Sequence, residues 1–242
     1  MPKPFAVVLA VVLSLVGLAA AGSGPGVEAG EPGAEDLAAA RKRGADNFRA
    51  VARAVLEYVH DKKGPVPPPA VLGPDGRPLY SWRVLVLPYL GEKRLYEQFR
   101  LDEPWDGPHN KGLLAKMPEV FAPARGKPRE AGFTFCQAVV GPGAGWEPRQ
   151  RLRYPGSYPD GTYGTVMLAE AAEAVPWSKP ADLPYDPQKP LPRFGGLFPD
   201  GFHVAMWNGD TRFFKRDFDQ RQMRNVLTRA GGEVMDFANL ER

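Results

Sequence analysis

The stretch of residues 34–63 has the periodicity of one long amphipathic helix. Its apolar residues recur at the i, i+3, i+4, i+7 spacing that collects side chains on one helix face. They are Phe48, Val51, Ala52, Val55, Leu56 and Val59. Gly64-Pro65 predicts where the helix ends, because proline cannot continue it. A helix with one apolar stripe has to bury that stripe against a second layer, and we expect that layer to be a sheet.

Loops and short helices are predicted between this helix and the second half of the chain. Glycine and proline number 27 each, which is typical of a folded domain with many turns and long loops. Ser81 is expected to cap a short helix, because its hydroxyl can accept a backbone N–H. The other predicted segments are a loop at 65–78 and helices at 92–99 and 110–121, the last one broken near Pro118.

The second half changes from helical to strand periodicity. Asn208-Gly209 between two apolar runs is a strong hairpin pattern, since this dipeptide favours a tight turn. Asp219 with Gln222 predicts the start of a C-terminal helix that runs to about Arg229. The predicted strands are 133–140, 165–172, 203–207 and 211–214. The sequence therefore predicts an α+β fold in which the long N-terminal helix packs on an antiparallel sheet, with long Pro/Gly-rich loops and a C-terminal helix.

The chain begins with a nearly unbroken apolar run at residues 5–21. Lys3 precedes the run, and the small residues at 18–22 are typical of a signal-peptidase site. The run is slightly short for a membrane-spanning helix, which needs about 20 apolar residues. We therefore interpret residues 1–21 as a cleaved signal peptide, with an uncleaved anchor as the alternative. Residues 22–33 then form a flexible linker, and residues 34–242 form one domain that is secreted, periplasmic or associated with the cell envelope.

Composition narrows the classes of partner. The formal net charge is +3, and Lys and Arg are scattered among acidic residues, so nucleic-acid binding has no electrostatic support. Contact with a membrane is expected only through the N-terminal segment, if it is not cleaved. Cys136 is the single cysteine, so no internal disulfide can form. Its apolar, alternating surroundings predict a small buried residue of a strand.

The densest polar cluster is the segment at 102–110. Asp102 and Asp106 are candidates for calcium ligands, because oxygen donors on a loop suit that ion. The alternative is structural: Asp106 caps the helix that starts near Pro108, and Trp105 anchors the loop to the core. His109 and Asn110 complete the cluster as candidate binding residues.

A histidine near a carboxylate is one arrangement that can support acid–base chemistry. His109 or His203 could pair with Asp106 or Asp210, but no nucleophile motif accompanies them, and no catalytic residue is predicted. Glu170 and Glu173 follow an apolar strand, where paired carboxylates could act as general acid and base. Such residues at a strand end are more often solvated or bind a neighbouring arginine.

Trp177 lies in a proline-rich loop at 176–192. It could stack on a sugar ring, and the favoured interpretation is that it fixes the loop to the domain.

Several long strings resemble a known family, the pilin-like domain of unknown function that is expanded in planctomycete bacteria. They are SWRVLVLPYL at 81–90, LYEQF at 95–99, DEPWDGPHN at 102–110, VVGPG at 139–143, EAAEAVPWSKP at 170–180 and the hairpin at 202–213. The resemblance implies the globular head of a type II secretion pseudopilin. The chain lacks the family's apolar prepilin helix with a Gly followed four residues later by Glu, so the head is expected to bind a partner and not to form a fibre.

We therefore expect an exported, non-enzymatic, pilin-like module that binds a protein or a surface polymer outside the cytoplasm. The alternative is a secreted hydrolase that uses a His/carboxylate pair. No cofactor is expected, with calcium as the one open candidate. The candidate binding residues are Trp105, Asp106, His109, Asn110, Glu170, Trp177, His203 and Asp210.

Overall fold

The computed structural model describes residues 27–28, 34–128 and 130–241. The predicted signal peptide at 1–21 lies outside the described residues. So does the predicted linker at 22–33, apart from Val27–Glu28. That pair forms the short strand β1 (Val27–Glu28), which is antiparallel to a strand at Lys127–Pro128.

One long helix precedes a series of short ones. The predicted first helix is confirmed as α1 (Ala34–Asp61). The predicted cap at Ser81 is also confirmed, because its hydroxyl accepts the backbone N–H of Arg83. The other helices are α2 (Trp82–Leu85), α3 (Lys93–Tyr96) and α4 (Gln220–Leu227). Among the described residues, no helix combines the length and the apolar character needed to cross a membrane.

The strands form one main sheet and two small ribbons. They are β2 (Ala70–Leu72), β3 (Pro78–Ser81), β4 (Lys127–Pro128), β5 (Phe133–Val140), β6 (Val166–Pro176), β7 (Leu183–Pro184), β8 (Gly201–Met206) and β9 (Thr211–Lys215). The main sheet has the order β7-β5-β6-β8-β9 and is antiparallel except for β7, which runs parallel to β5. β8 and β9 form the predicted hairpin, and β2 and β3 form a ribbon of their own. The predicted α+β class is confirmed.

The apolar stripe of α1 packs on the sheet and on the helical segments that follow it. Ala52 and Val55 at the centre of the stripe are fully buried. A row of tryptophans continues this core: the ring centroid of Trp146 lies 5.3 Å from that of Trp82 and 5.2 Å from that of Trp207. Such close aromatic pairs add to the free energy gained from burial.

A buried ion pair fixes α2 to the main sheet. The Arg83 side chain is fully buried, and its Nη2 lies 2.7 Å from Oδ1 of Asp182. Arg83 Nε and Nη2 also donate to the carbonyl of Cys136 in β5, at 3.0 and 2.9 Å. The same Asp182 oxygen accepts the backbone N–H of Ala138 and the indole N–H of Trp82. Burial raises the pKa of the Asp182 carboxyl, and the charge of Arg83 opposes this rise.

Some sequence predictions of the elements are wrong in detail. The predicted break near Pro118 is confirmed, but the segments on its two sides, Asn110–Lys116 and Glu119–Phe121, are 3-10 helices and do not form a regular α-helix. The second predicted strand extends from Val166 to Pro176, past the predicted end at 172, because its far end still pairs with β5.

Gly44 lies where α1 contacts β8 so closely that a side chain at this position would not fit. A Cβ at this position would overlap the imidazole of His203. We expect Gly44→Ala to lower the free energy of unfolding by about 1–3 kcal/mol. At a helix position without such an overlap, Gly→Ala would instead raise the free energy of unfolding, by up to about 1 kcal/mol. Urea denaturation measures the difference.

Gly112→Ala is the matched control, because a Cβ at Gly112 meets no atom within 4 Å. Its denaturation midpoint is expected to stay at or slightly above the wild-type value. A midpoint for Gly44→Ala that equals or exceeds that of the wild type would contradict the tight contact between α1 and His203.

Candidate functional site

An open groove lies beside the predicted polar cluster. Its volume is about 760 Å³, within the range of ligand-binding clefts. Three residues singled out from the sequence line it: Trp105, Asp106 and Asp102. We call it the Trp105 groove. Its other lining residues are Gly73, Pro74, Asp75, Arg77, Pro78, Leu79, Pro104, Lys179 and Pro180.

The loop that carries Trp105 is held from inside by two side chains. The buried amide of Asn110 donates to the carbonyls of Arg100 and Glu103, at 2.8 and 2.9 Å, and accepts the backbone N–H of Arg100. Glu103 Oε1 accepts the N–H groups of His109 and Asn110, at 2.7 and 3.2 Å. The prediction that Asp106 caps this segment is therefore wrong. Glu103 caps it, and Asp106 lies exposed in the groove.

Trp105 is half-buried and is fixed to the domain, as expected. Its backbone N–H donates to the carbonyl of Leu79 at 2.7 Å, and its ring packs against the main core. The ammonium of Lys179 lies 5.6 Å from the centroid of the Trp105 ring, within the range of a cation–π contact. The ring therefore offers part of its surface to the groove and has a positive charge over its face.

The carboxylates of the groove differ in their availability. Asp75 is bound by its neighbour Arg77, whose Nε lies 2.6 Å from Oδ2. Asp102 and Asp106 are exposed, and within the described residues neither carboxylate has a hydrogen bond or an ion pair. Within the same residues, no group of three or more His, Cys, Asp or Glu side chains is arranged to hold a metal ion.

The structure brings His203 and Glu170 together under α1. Nδ1 of His203 lies 3.3 Å from Oε2 of Glu170, and each side chain is only 2% exposed. Nε2 of His203 lies 3.0 Å from the backbone carbonyl of Arg41 in α1. His203 does not pair with Asp106 or Asp210, the partners that the sequence left possible. Glu170 is not solvated as such residues usually are, because the strand turns it inward beneath the helix.

Hydrogen-bond geometry determines how this pair is protonated. The carbonyl of Arg41 can only accept, so Nε2 of His203 has to carry a proton. One further proton then lies between Nδ1 of His203 and the carboxyl of Glu170. Burial raises the pKa of Glu170, and the hydrogen bond from His203 opposes this rise. The pair holds α1 to the sheet, and its burial beneath α1 keeps it away from bulk solvent.

The remaining candidates are dispersed. Trp177 is fully buried and donates its indole N–H to the carbonyl of Leu114 at 3.2 Å, so it fixes its loop as favoured above. His109 is bonded through Nε2 to the carbonyl of Gln98. Asp210 lies in the hairpin turn, where its N–H donates to the side chain of Asn208. Glu173 is exposed and pairs with Arg193, as expected for a residue near a strand end.

Cys136 is confirmed as a buried residue of a strand. Burial raises the pKa of its thiol to about 12. A thiol that stays protonated at neutral pH is a poor nucleophile, and it packs as a small apolar side chain.

Sequence reasoning missed part of the groove. Lys179 and Asp75 line the groove but belong to segments far from Trp105 in the chain, in two separate loops. The sequence places Asp75 in the loop predicted at 65–78, and no local pattern indicates what that loop lies against.

The fold and the site define an α+β domain with an open surface groove and a buried polar pair beneath its long helix. Residues 38–169 match the family described as a protein of unknown function (DUF1559), also labelled SBP_bac_10, and the chain belongs to that family. Neither a curated protein nor a solved structure matches the chain.

The protonation of the buried pair predicts a pH dependence of stability. The pKa of Glu170 in the folded protein lies above its ordinary value of 4.5. The carboxyl of Glu170 therefore stabilises the folded protein below about pH 4.5. This stabilisation is lost as the pH rises through the pKa of Glu170 in the folded protein. Glu170→Gln stays neutral and can donate to Nδ1 of His203. We expect its stability relative to the wild type to rise from pH 4 to pH 8, by on the order of 1 kcal/mol.

Urea denaturation at several pH values measures this trend, and Glu173→Gln is the control because Glu173 is exposed. The control is expected to show little change with pH. A stability difference for Glu170→Gln that is flat or falls over this range would contradict the assigned protonation.

Proposed function

We propose that the chain is an exported, non-enzymatic binding module of the cell envelope that holds a protein or a surface polymer in the Trp105 groove. The observation that carries the proposal is the half-buried Trp105 ring beside the free carboxylates of Asp102 and Asp106. An aromatic surface with a few polar groups around it is typical of a ligand-binding cleft.

A glycan is the ligand whose chemistry suits this groove best. The apolar face of a sugar ring can pack on the indole, and its hydroxyls can donate to the carboxylates of Asp102 and Asp106. Lys179 beside the ring adds a donor for hydroxyl or carboxylate oxygens. The loop is already fixed by Asn110 and Glu103, so a ligand would not have to order it on binding.

The arrangement of acid–base groups supports a binding role over a hydrolase. A catalytic acid or base has to lie within hydrogen-bond reach of the substrate. The pair of His203 and Glu170 lies beneath α1 with 2% of each side chain exposed. In the Trp105 groove, the carboxylates have no histidine among the lining residues.

We also propose that the domain is a pilin-like head of the kind that is expanded in planctomycete bacteria. The long α1 on a mainly antiparallel sheet supports this relationship. The strings SWRVLVLPYL and DEPWDGPHN, which carry the resemblance, lie within the matched residues 38–169.

Removal of the Trp105 ring tests the binding site. We expect Trp105→Ala to weaken binding to isolated envelope polysaccharide by about tenfold or more, because buried aromatic anchors dominate binding energy. Co-sedimentation with the insoluble envelope fraction and calorimetric titration with its soluble fragments measure the loss. Tyr163→Ala is the matched control, since Tyr163 is an aromatic residue with 55% exposure outside the groove.

Binding by Trp105→Ala that equals the wild type, or a wild type that binds no envelope component, would overturn this function. The same titrations with added calcium and with a chelator test whether Asp102 and Asp106 hold that ion. An effect of calcium on binding, where the titrations detect one, is expected to be absent from the Asp102→Asn/Asp106→Asn variant if these two carboxylates hold the ion.

Export is tested by the intact mass of the protein recovered from its native envelope fraction. Cleavage after the small residues at 18–22 predicts a mature chain without the apolar run at 5–21. Recovery of the full-length mass from the membrane would instead show a retained anchor. Recovery from the cytoplasm would contradict export altogether.

A further inference from the structure

A second groove lies between two segments that are far apart in the sequence. Its volume is about 490 Å³, and none of its lining residues belongs to the Trp105 groove. One wall is the segment 65–72, and the other is the segment 146–152. The two walls are joined at one end, where the N–H of Val66 donates to the carbonyl of Leu152 at 3.0 Å.

The first wall is apolar and stiff. It contains four prolines, Pro65, Pro67, Pro68 and Pro69, whose rings restrict the backbone before any ligand arrives. Leu72 at the end of this wall is 56% exposed, which is unusual for so large an apolar side chain. A surface of this kind can bury apolar groups of a partner at a small cost in conformational entropy.

The second wall is positively charged. Arg149 and Arg151 are exposed, and in the part of the chain that the structure describes neither guanidinium has a carboxylate partner. Glu147 is the single acid among the residues that line the groove. Its Oε1 is held by Arg229 Nη2 at 2.7 Å and by the N–H of Gly143 at 2.9 Å, so it neutralises neither arginine.

We propose that this groove, the arginine groove, is a docking site for an extended acidic segment of a partner protein. The two guanidinium groups without carboxylate partners favour an occupant that carries carboxylates. An arginine can bind a carboxylate through two parallel hydrogen bonds. The proline wall and Leu72 can bury apolar side chains of the same occupant. A peptide with both kinds of residue uses both walls, whereas a sulfated polymer would leave the apolar wall unpaired.

Selection from a random-peptide display library tests the proposal, with the purified full chain as bait and the Arg149→Glu/Arg151→Glu variant for counter-selection. The enriched peptides are expected to combine Asp or Glu with apolar residues. Fluorescence anisotropy then measures the Kd of one enriched peptide. We expect the double variant to raise this Kd by about tenfold or more, and Leu72→Ser to raise it without any change in charge.

The matched control is Arg94→Glu/Arg221→Glu, which makes the same change in net charge at two exposed arginines outside the groove. It is expected to leave the Kd unchanged. Enriched peptides without acidic residues, no enrichment, or equal weakening by the control would each overturn the proposal. So would a sulfated oligosaccharide that competes fully for the site in both the wild type and Leu72→Ser.

The outcome is independent of the function proposed for the Trp105 groove. The arginine variants leave Trp105, Asp102 and Asp106 in place, so their binding to envelope polysaccharide is expected to match the wild type. Loss of peptide binding with retained polysaccharide binding would assign the two ligands to separate grooves.

Discussion

The ion pair between Arg83 and Asp182 joins three separate parts of the chain inside the core. Arg83 belongs to a short helix, and Asp182 lies in a loop before the small parallel strand β7. Their shared partners, the carbonyl of Cys136 and the N–H of Ala138, are in β5. Removal of one member of such a buried pair typically costs about 3–5 kcal/mol, because the other charge is left without a partner. The short helix α2 is therefore joined to the main sheet by a polar contact inside the core.

The long helix is held to the sheet by two different forces. Its apolar stripe supplies burial, which is strong but not specific in direction. The pair of His203 and Glu170 adds direction, since Nε2 of His203 meets one particular backbone carbonyl, that of Arg41. Gly44 lets the helix approach closely enough for this contact. Together they fix the position of α1 along the strands, which apolar packing alone would leave less well defined.

Both surface grooves are built from loops on this fixed frame. Loops carry binding residues in many folds because they tolerate variation while a rigid scaffold positions them. Here the ribbon of β2 and β3 contributes to both: its first strand ends at Leu72 in the arginine groove, and its turn at Asp75 lines the Trp105 groove. The high content of proline is consistent with this role, since proline stiffens a loop without a regular element.

The amino-acid sequence by itself determined the local structure: the long helix, the cap at Ser81, the strand at Phe133–Val140 and the hairpin around Asn208-Gly209. These features depend on side-chain periodicity and turn chemistry, which act over a few neighbouring residues. It also indicated Trp105 as an anchored ring. It did not indicate that Glu170 would meet His203, or that Arg149 would face a wall of prolines.

Those contacts were decided only by the tertiary structure. Glu170 and His203 are on neighbouring strands, but the strand register and the covering helix decide that both side chains point into the same buried space. Likewise Lys179 lies near Trp105 because its loop is held to the domain by the buried ring of Trp177 and by the hydrogen bond from the N–H of Ser81 to the carbonyl of Ser178. Contacts of this kind depend on how elements that are far apart in the chain pack together. Local sequence patterns act over a few neighbouring residues and do not specify that packing.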